Sequence, residues 1–263
     1  MKKLFIIIGF MGLISCSPKK QVEKLLDTSS TIDNKNFNYA QLENLPDPVR
    51  RYFQYAIPEG KPYISHLRLK HNGSFKTGVG KDWIDIKGEQ YFSAQPPGFV
   101  WIGKTRQFKA IDSYIENTGN LSVYLFGLMR IVNSKGSSVD QAELLRWLGE
   151  SVWMPTNLLP DKQKEWTAID ENRAKITFSH NGQSVYYIVH FNKTGQITKM
   201  ETKRYMEEGR LEKWEGRLSN YTEHEGIKVP QTIEATWLLS EGQHTYARFR
   251  VETFEYDKPY PFK

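Results

Sequence analysis

The chain predicts an α+β fold dominated by one strongly curved antiparallel sheet, a half-open barrel of about ten strands with two helices covering its mouth. Three observations predict it. Apolar residues alternate with a period of two from Tyr63 almost to the C-terminus, turn residues recur at regular spacing, and only two stretches carry the period of a packed helix. With 39% hydrophobic and 13% aromatic residues among 263, there is enough apolar surface to bury one large core.

The first helix is expected over residues 47–56. Asp47 suits an N-cap, and Pro48 suits the first helical position, where no amide donor is needed. Val49, Tyr52, Phe53 and Ala56 then form one apolar stripe, and Pro58 ends it. Strands follow: Leu67, Leu69 and Phe75 share one parity, and Trp83, Asp85 and Tyr91 alternate with Ile84, Ile86 and Phe92. Further strands are read at 99–102, 108–115 and 121–132. The second helix is expected over 138–153, with a Ser138/Gln141 capping box, a stripe of Val139, Ala142, Leu145, Leu148 and Val152, and Pro155 as its stop. Strands resume at 174–179 and 185–191, joined by Asn181-Gly182, the signature of a two-residue hairpin. The remaining strands are read at 197–205, 213–221, 229–238 and 244–256, with Gly195, Gly209, Gly226 and Gly242 between them. Both faces of these strands are partly apolar, as expected of a curved sheet with covered sides.

The N-terminus reads as export and anchoring. Met1-Lys2-Lys3 is a positive start, Leu4–Ile14 is an apolar run too short to span a bilayer, and the chain's one cysteine follows at once in Leu13-Ile14-Ser15-Cys16. These residues resemble the lipobox of bacterial lipoproteins, which implies removal of 1–15 and diacylglyceryl attachment at Cys16. An ordinary cleaved signal peptide would give the cysteine no reason to follow the apolar run, and an uncleaved anchor would need closer to ~20 apolar residues. The expected organisation is a signal peptide over 1–15, a lipidated flexible tether over 16–36, and a single β-rich domain over 37–263. Two acyl chains give stable membrane attachment where one does not. The implied location is the bacterial cell envelope, with the domain facing the periplasm. Ser17 stands where an aspartate would, by analogy, favour retention in the inner membrane, so the outer membrane is preferred.

A formal charge of +6, evenly interspersed, offers no basic stripe for nucleic acid. With its one thiol assigned to acylation, the chain has neither disulfides nor thiolate metal sites. Gly98-Phe99-Val100-Trp101-Ile102-Gly103-Lys104-Thr105 matches the phosphate-loop pattern letter for letter. Its four bulky variable residues suit a strand rather than a turn wrapped around an anion, so no nucleotide is expected. The six histidines form no metal-ligand pair at helical spacing, no cofactor or metal is expected, and no nucleophile elbow is present.

Glu143, Arg146 and Glu150 share one face of the second helix. They read first as a solvated, charge-laced surface, with a ligand-headgroup site as the functional alternative. A catalytic role for the two glutamates is the weakest reading, and no enzyme is expected. Seven tryptophans are either core or the lining of an apolar hollow on the concave face. Candidate ligand contacts are Trp83, Trp101 and Trp153 for apolar surface, and Arg146 and Glu150 for a polar headgroup, with Arg146 meeting an anionic one.

The blocks at 45–53, Gly98-Phe99-Val100-Trp101, 143–156 and 229–237 together resemble a bacterial family classed as a domain of unknown function, over about residues 39–256. The strand–helix order is similar to that of LolA/LolB-type periplasmic lipoprotein carriers. That likeness implies an unclosed antiparallel barrel with an acyl-binding hollow. The function expected is that of a membrane-anchored envelope lipoprotein binding a hydrophobic or acylated ligand. The alternative is an envelope scaffold with a packed interior and an exposed apolar patch.

Overall fold

The computed structural model describes residues 17–263. Cys16 and the apolar run before it lie outside the described residues. Two antiparallel meanders make the sheet. The first is β1 (His66–Phe75), β2 (Ile84–Ser93), β3 (Gly98–Lys104), β4 (Phe108–Ile115), β5 (Thr118–Leu125) and β6 (Met129–Ser134). The second is β7 (Lys164–Asp170), β8 (Arg173–His180), β9 (Gln183–Phe191), β10 (Ile197–Glu207), β11 (Arg210–His224), β12 (Ile227–Leu239) and β13 (Gly242–Tyr256). They join side by side through β1 and β13, with Leu67 opposite Tyr256. The chain therefore enters mid-sheet, walks out to the β6 edge, crosses to the β7 edge and walks back.

Thirteen strands stand where about ten were expected. The apolar stretch 121–132 is not one strand but the β5–β6 hairpin, turned at Phe126 and Gly127, whose φ values are 48° and 73°. No turn-forming residue type other than that glycine marks it. Strand β7 was missed because it is short and mostly exposed, and Ile169 breaks the alternation of Trp166 and Ala168. The Asn181-Gly182 turn is as expected, with φ values of 48° and 75° between paired His180 and Gln183.

The crossover between the two edges is α3 (Ser137–Glu150), followed by 3₁₀ turns at Ser151–Trp153 and Pro155–Leu158. The expected capping box does not form: the helix starts after Gly136, and no side chain caps it. Helix α3 touches β5 on one flank and β10 on the other, although seven strands lie between them in the sheet. Laid flat, those strands would stand ~38 Å apart, several times the ~10 Å width of a helix. The sheet must therefore curl around α3, and bulges such as those at Lys70/His71 and Ala235/Thr236 sharpen the curl. Its edges, β6 and β7, do not pair, so the barrel is unclosed.

Helix α2 (Asp47–Ala56) begins one residue earlier than its cap was read, with Asp47 in the first turn and ion-paired to Arg50 at 2.5 Å. Its stripe of Val49, Tyr52, Phe53 and Ala56 is buried as expected, against Trp166 and Phe191 among others. It fills the end of the trough where β12 begins. Of the two expected mouth-covering helices, only α2 closes an end. Helix α3 crosses the trough as a strap, from Gly119 at the start of β5 past the Ser93 carbonyl at the end of β2 toward Pro230 near the start of β12, and leaves the far end open.

The segment expected to be a flexible tether is folded over residues 18–27. There α1 (Pro18–Asp27) packs Val22 and Leu25 against Tyr91, Val100, Ile102 and Ile111 on the convex face. Val22, Leu25 and Leu26, spaced i, i+3, i+4, supply a stripe that the surrounding lysines disguise. Gly98–Lys104 is a buried strand rather than a phosphate loop. Among the described residues no helix is long and apolar enough to cross a membrane.

Candidate functional site

Between α3 and the open end of the trough lies a cavity of about 940 Å³, toward the upper end of the ~300–1,000 Å³ typical of ligand pockets. Phe75, Phe108, Val123, Ile233, Trp237 and Phe249 give it apolar walls from both meanders. Its polar floor is built by Asp112 of β4, Glu143, Arg146 and Glu150 of α3, and Arg204 of β10.

Trp101 lies in the lining, where strand alternation turns Phe99 and Trp101 to the concave side and Val100 and Ile102 to the convex one. Its indole N–H donates to Nε2 of buried His71 at 2.8 Å. The His71 ring stacks on Phe249 at 4.3 Å between centroids. Burial first, aided by the charge of Arg146, pushes His71 down to about 4, so it stays neutral and accepts that bond. Gly88 and Gly103, opposite each other in the β2–β3 register, leave the room: a Cβ on Gly103 would stand 2.2 Å from the indole.

Arg146 is tied on two sides. Its Nη1 donates to Asp112 at 2.6 Å and its Nε to Glu150 at 2.9 Å, while its guanidinium lies 4.9 Å from the Phe99 ring centre and 5.3 Å from that of Trp101. Glu150 also accepts from Gln90 at 2.7 Å. Glu143 and Arg204 approach to 3.6 Å. Glu143, Arg146 and Glu150 are thus not a solvated surface, because the sheet wraps the helix and turns this face onto the floor of the cavity. Arg146, expected to meet an anionic headgroup, already faces the two carboxylates Asp112 and Glu150. Burial first, then the charge of Asp112, pushes the Glu143 carboxyl up to about 8, with Arg204 and Arg146 pulling the other way. Burial works against the charge of Arg146, but Glu150, Asp112 and Glu143 outweigh it, and its pKa rises.

Trp153 lines the cavity but is largely core: it is 2% exposed, donates to the Pro230 carbonyl at 2.9 Å and meets Phe254 edge-on. Trp83 does not line the cavity. It precedes β2, with Lys76 Nζ 4.8 Å and the Arg248 guanidinium 4.7 Å from its ring. Sequence reasoning missed His71, Asp112 and Arg204. Asp112, a carboxylate on the apolar parity of Ala110 and Tyr114, was the one local signal available. Among the described residues no cluster of His, Cys, Asp and Glu could hold a metal ion.

A family model, DUF6544, described as a family of unknown function, matches residues 35–249, and the chain belongs to that family, as its sequence blocks led one to expect. No curated protein matches it. Among solved structures the chain is similar to a presumptive outer membrane lipoprotein-sorting protein domain from Vibrio parahaemolyticus (TM-score 0.43, 10% identity, covering 90% of this chain and 94% of that one). It is also similar to the LolA superfamily protein NE2245 from Nitrosomonas europaea (TM-score 0.34, 12% identity, 79% and 91% covered). A third likeness is to a DUF1329 family protein from Desulfovibrio piger (TM-score 0.37, 13% identity, 81% and 91% covered). At these identities and TM-scores, nothing about ligand or location passes to this chain.

Proposed function

For a member of a family without an assigned activity, we propose that the hollow on the concave face binds a hydrophobic or acylated molecule, and that the protein is an envelope lipoprotein held to a membrane through Cys16. The observation that carries the binding role is the cavity itself. Protein interiors pack as densely as organic crystals, and voids much larger than a water molecule are few. A space of about 940 Å³ walled by aromatic side chains is therefore a receptacle rather than a packing fault. Trp101 and Trp153 supply apolar contact. Arg146 and Glu150 hold each other on the floor and leave their neighbours to meet the ligand.

Purification from the membrane fraction followed by native mass spectrometry and solvent extraction tests this. A bound amphiphile released on extraction, and an apolar dye that competes for the emptied site, are expected. Protein that carries no amphiphile and takes up no dye overturns the reading.

The scaffold alternative requires a filled interior, which the cavity disfavours. Its second mark, an exposed apolar patch, does occur. Phe126, Leu128, Met129 and Ile131 at the β5–β6 tip are 53–89% exposed, and Ile131 also lines the cavity. With exposed Arg106 and Arg130 beside it, we assign this tip to contact with an anionic bilayer at the mouth of the hollow.

A further inference from the structure

The floor of the hollow lacks hydrogen-bond partners in a pattern that specifies a headgroup. Five charged side chains meet there, and carboxyls outnumber guanidinium groups three to two. Arg146 gives Nη1 to Asp112 Oδ2 and Nε to Glu150 Oε1, and the second oxygen of Glu150 accepts from Gln90. Three buried atoms have no partner: Asp112 Oδ1, Glu143 Oε2 and Arg204 Nε. Asp112 and Glu143 are only 7% and 5% exposed, yet both line the cavity. Native interiors rarely leave such groups unpaired.

Resting on the reading of the hollow as an amphiphile site, we propose that the bound molecule carries a protonated amine, which donates to Asp112 Oδ1 and Glu143 Oε2 while its tail lies along Trp101, Trp214 and Phe249. The three carboxyls share two guanidinium groups, and Glu143 keeps a proton for want of a further counter-charge. An ammonium group supplies that charge, and its several N–H donors match the two unpaired carboxyl oxygens. An anionic head would find donors only beside carboxyls, Arg146 facing Asp112 and Glu150 and Arg204 facing Glu143, and would lie against the unpaired oxygens. An uncharged polyol head would bond the orphaned oxygens but bring no counter-charge, so Glu143 would keep its proton.

The groups facing Glu143 define how binding responds to pH. They are Asp112 of β4, Arg146 and Glu150 on its own helix, Arg204 of β10 and Tyr187 of β9, with Tyr246 of β13 beside Arg204. Because Glu143 is pushed up to about 8, it is protonated in the empty protein at neutral pH. An ammonium group arriving beside it displaces that proton. Affinity for an amine therefore rises as pH climbs to about 8 and falls again only when the amine itself deprotonates, near ~10 by analogy with lysine.

Titration calorimetry on delipidated protein, with decylamine, decyl glucoside and decanoate at pH 7, tests the proposal at constant tail length. Decylamine is expected to bind tightest, by at least about tenfold over decanoate, and to release close to one proton, counted from buffers of different ionisation heat. Glu143→Gln, with folding checked by its melting curve, is expected to abolish proton release and the pH dependence. The proton count on unaltered protein decides the matter even where that variant fails to fold. Equal binding of all three, tightest binding of decanoate, or amine binding without proton release overturns the headgroup assignment and leaves the hollow an amphiphile site. Failure of all three to bind removes the underlying reading as well.

Discussion

Gly88 and Gly103 face one another on neighbouring strands, and each yields its side-chain space to a ring, His71 in one case and Trp101 in the other. Glycine inside a strand normally weakens it. At these positions it seats the two aromatic groups under the cavity. His71 and Glu143 also impose opposite pH slopes on stability. His71, held at about 4 against an ordinary 6.5, refuses a proton that the unfolded chain accepts, so stability falls as pH drops from 6.5 toward 4. Glu143, at about 8 against an ordinary 4.5, keeps a proton that the unfolded chain releases. Its contribution is complete below 4.5 and lost as pH rises toward 8. Between pH 4.5 and 6.5 the two slopes oppose each other, so melting temperature is expected to be highest there and to fall on either side. Glu143→Gln should raise it at pH 8 by roughly 2–4 °C, the response of a domain this size to about 1 kcal/mol. Melting curves at pH 4, 6 and 8 check this, and an unchanged alkaline limb in the variant counts against it. The Arg146–Glu150 pair was legible from its helical spacing. Asp112 and Arg204 were not, because each reaches the floor from a strand remote in sequence.

At the scale of elements, local chemistry decided what could be read. Helix α2 was legible because a proline and an apolar stripe agree. The β8–β9 hairpin was legible because Asn181-Gly182 tolerates the left-handed backbone that the turn requires. The β5–β6 turn was hidden, since Phe126 takes up that conformation against its own preference. Helix α1 was hidden because only three apolar residues hold it to the sheet. The β5–β6 tip yields a prediction. The chain from Ser17 to Lys263, which carries no acyl group, should float with vesicles containing anionic lipid. Replacing Phe126 and Leu128 together with serine should weaken that binding at least about tenfold, given ~1.5–3 kcal/mol for each large apolar side chain buried. Equal flotation of parent and variant excludes the tip from membrane contact.

Across the whole molecule, the regular strand rhythm foretold a meander but not its arrangement as two meanders joined at the centre. That arrangement depends on β1 pairing with β13, residues almost the full length of the domain apart, and on a crossover threaded through the concave face. No local signal encodes either. Each edge strand lacks a partner on one side, whereas β1 and β13 are flanked by strands on both. Amide hydrogen exchange should accordingly be slowest in β1 and β13 and fastest in β6 and β7. Protection in β6 or β7 that equals that of β1 contradicts this picture of the sheet.

Helix α1 starts at Pro18 and is pinned to the convex face from its second turn onward. From Pro18 onward the chain therefore belongs to the folded body and is not a slack line. A lipid on Cys16, as proposed, would act as a short stay rather than a mooring rope. Under the proposed anchoring, the folded body would stay within a short reach of the bilayer.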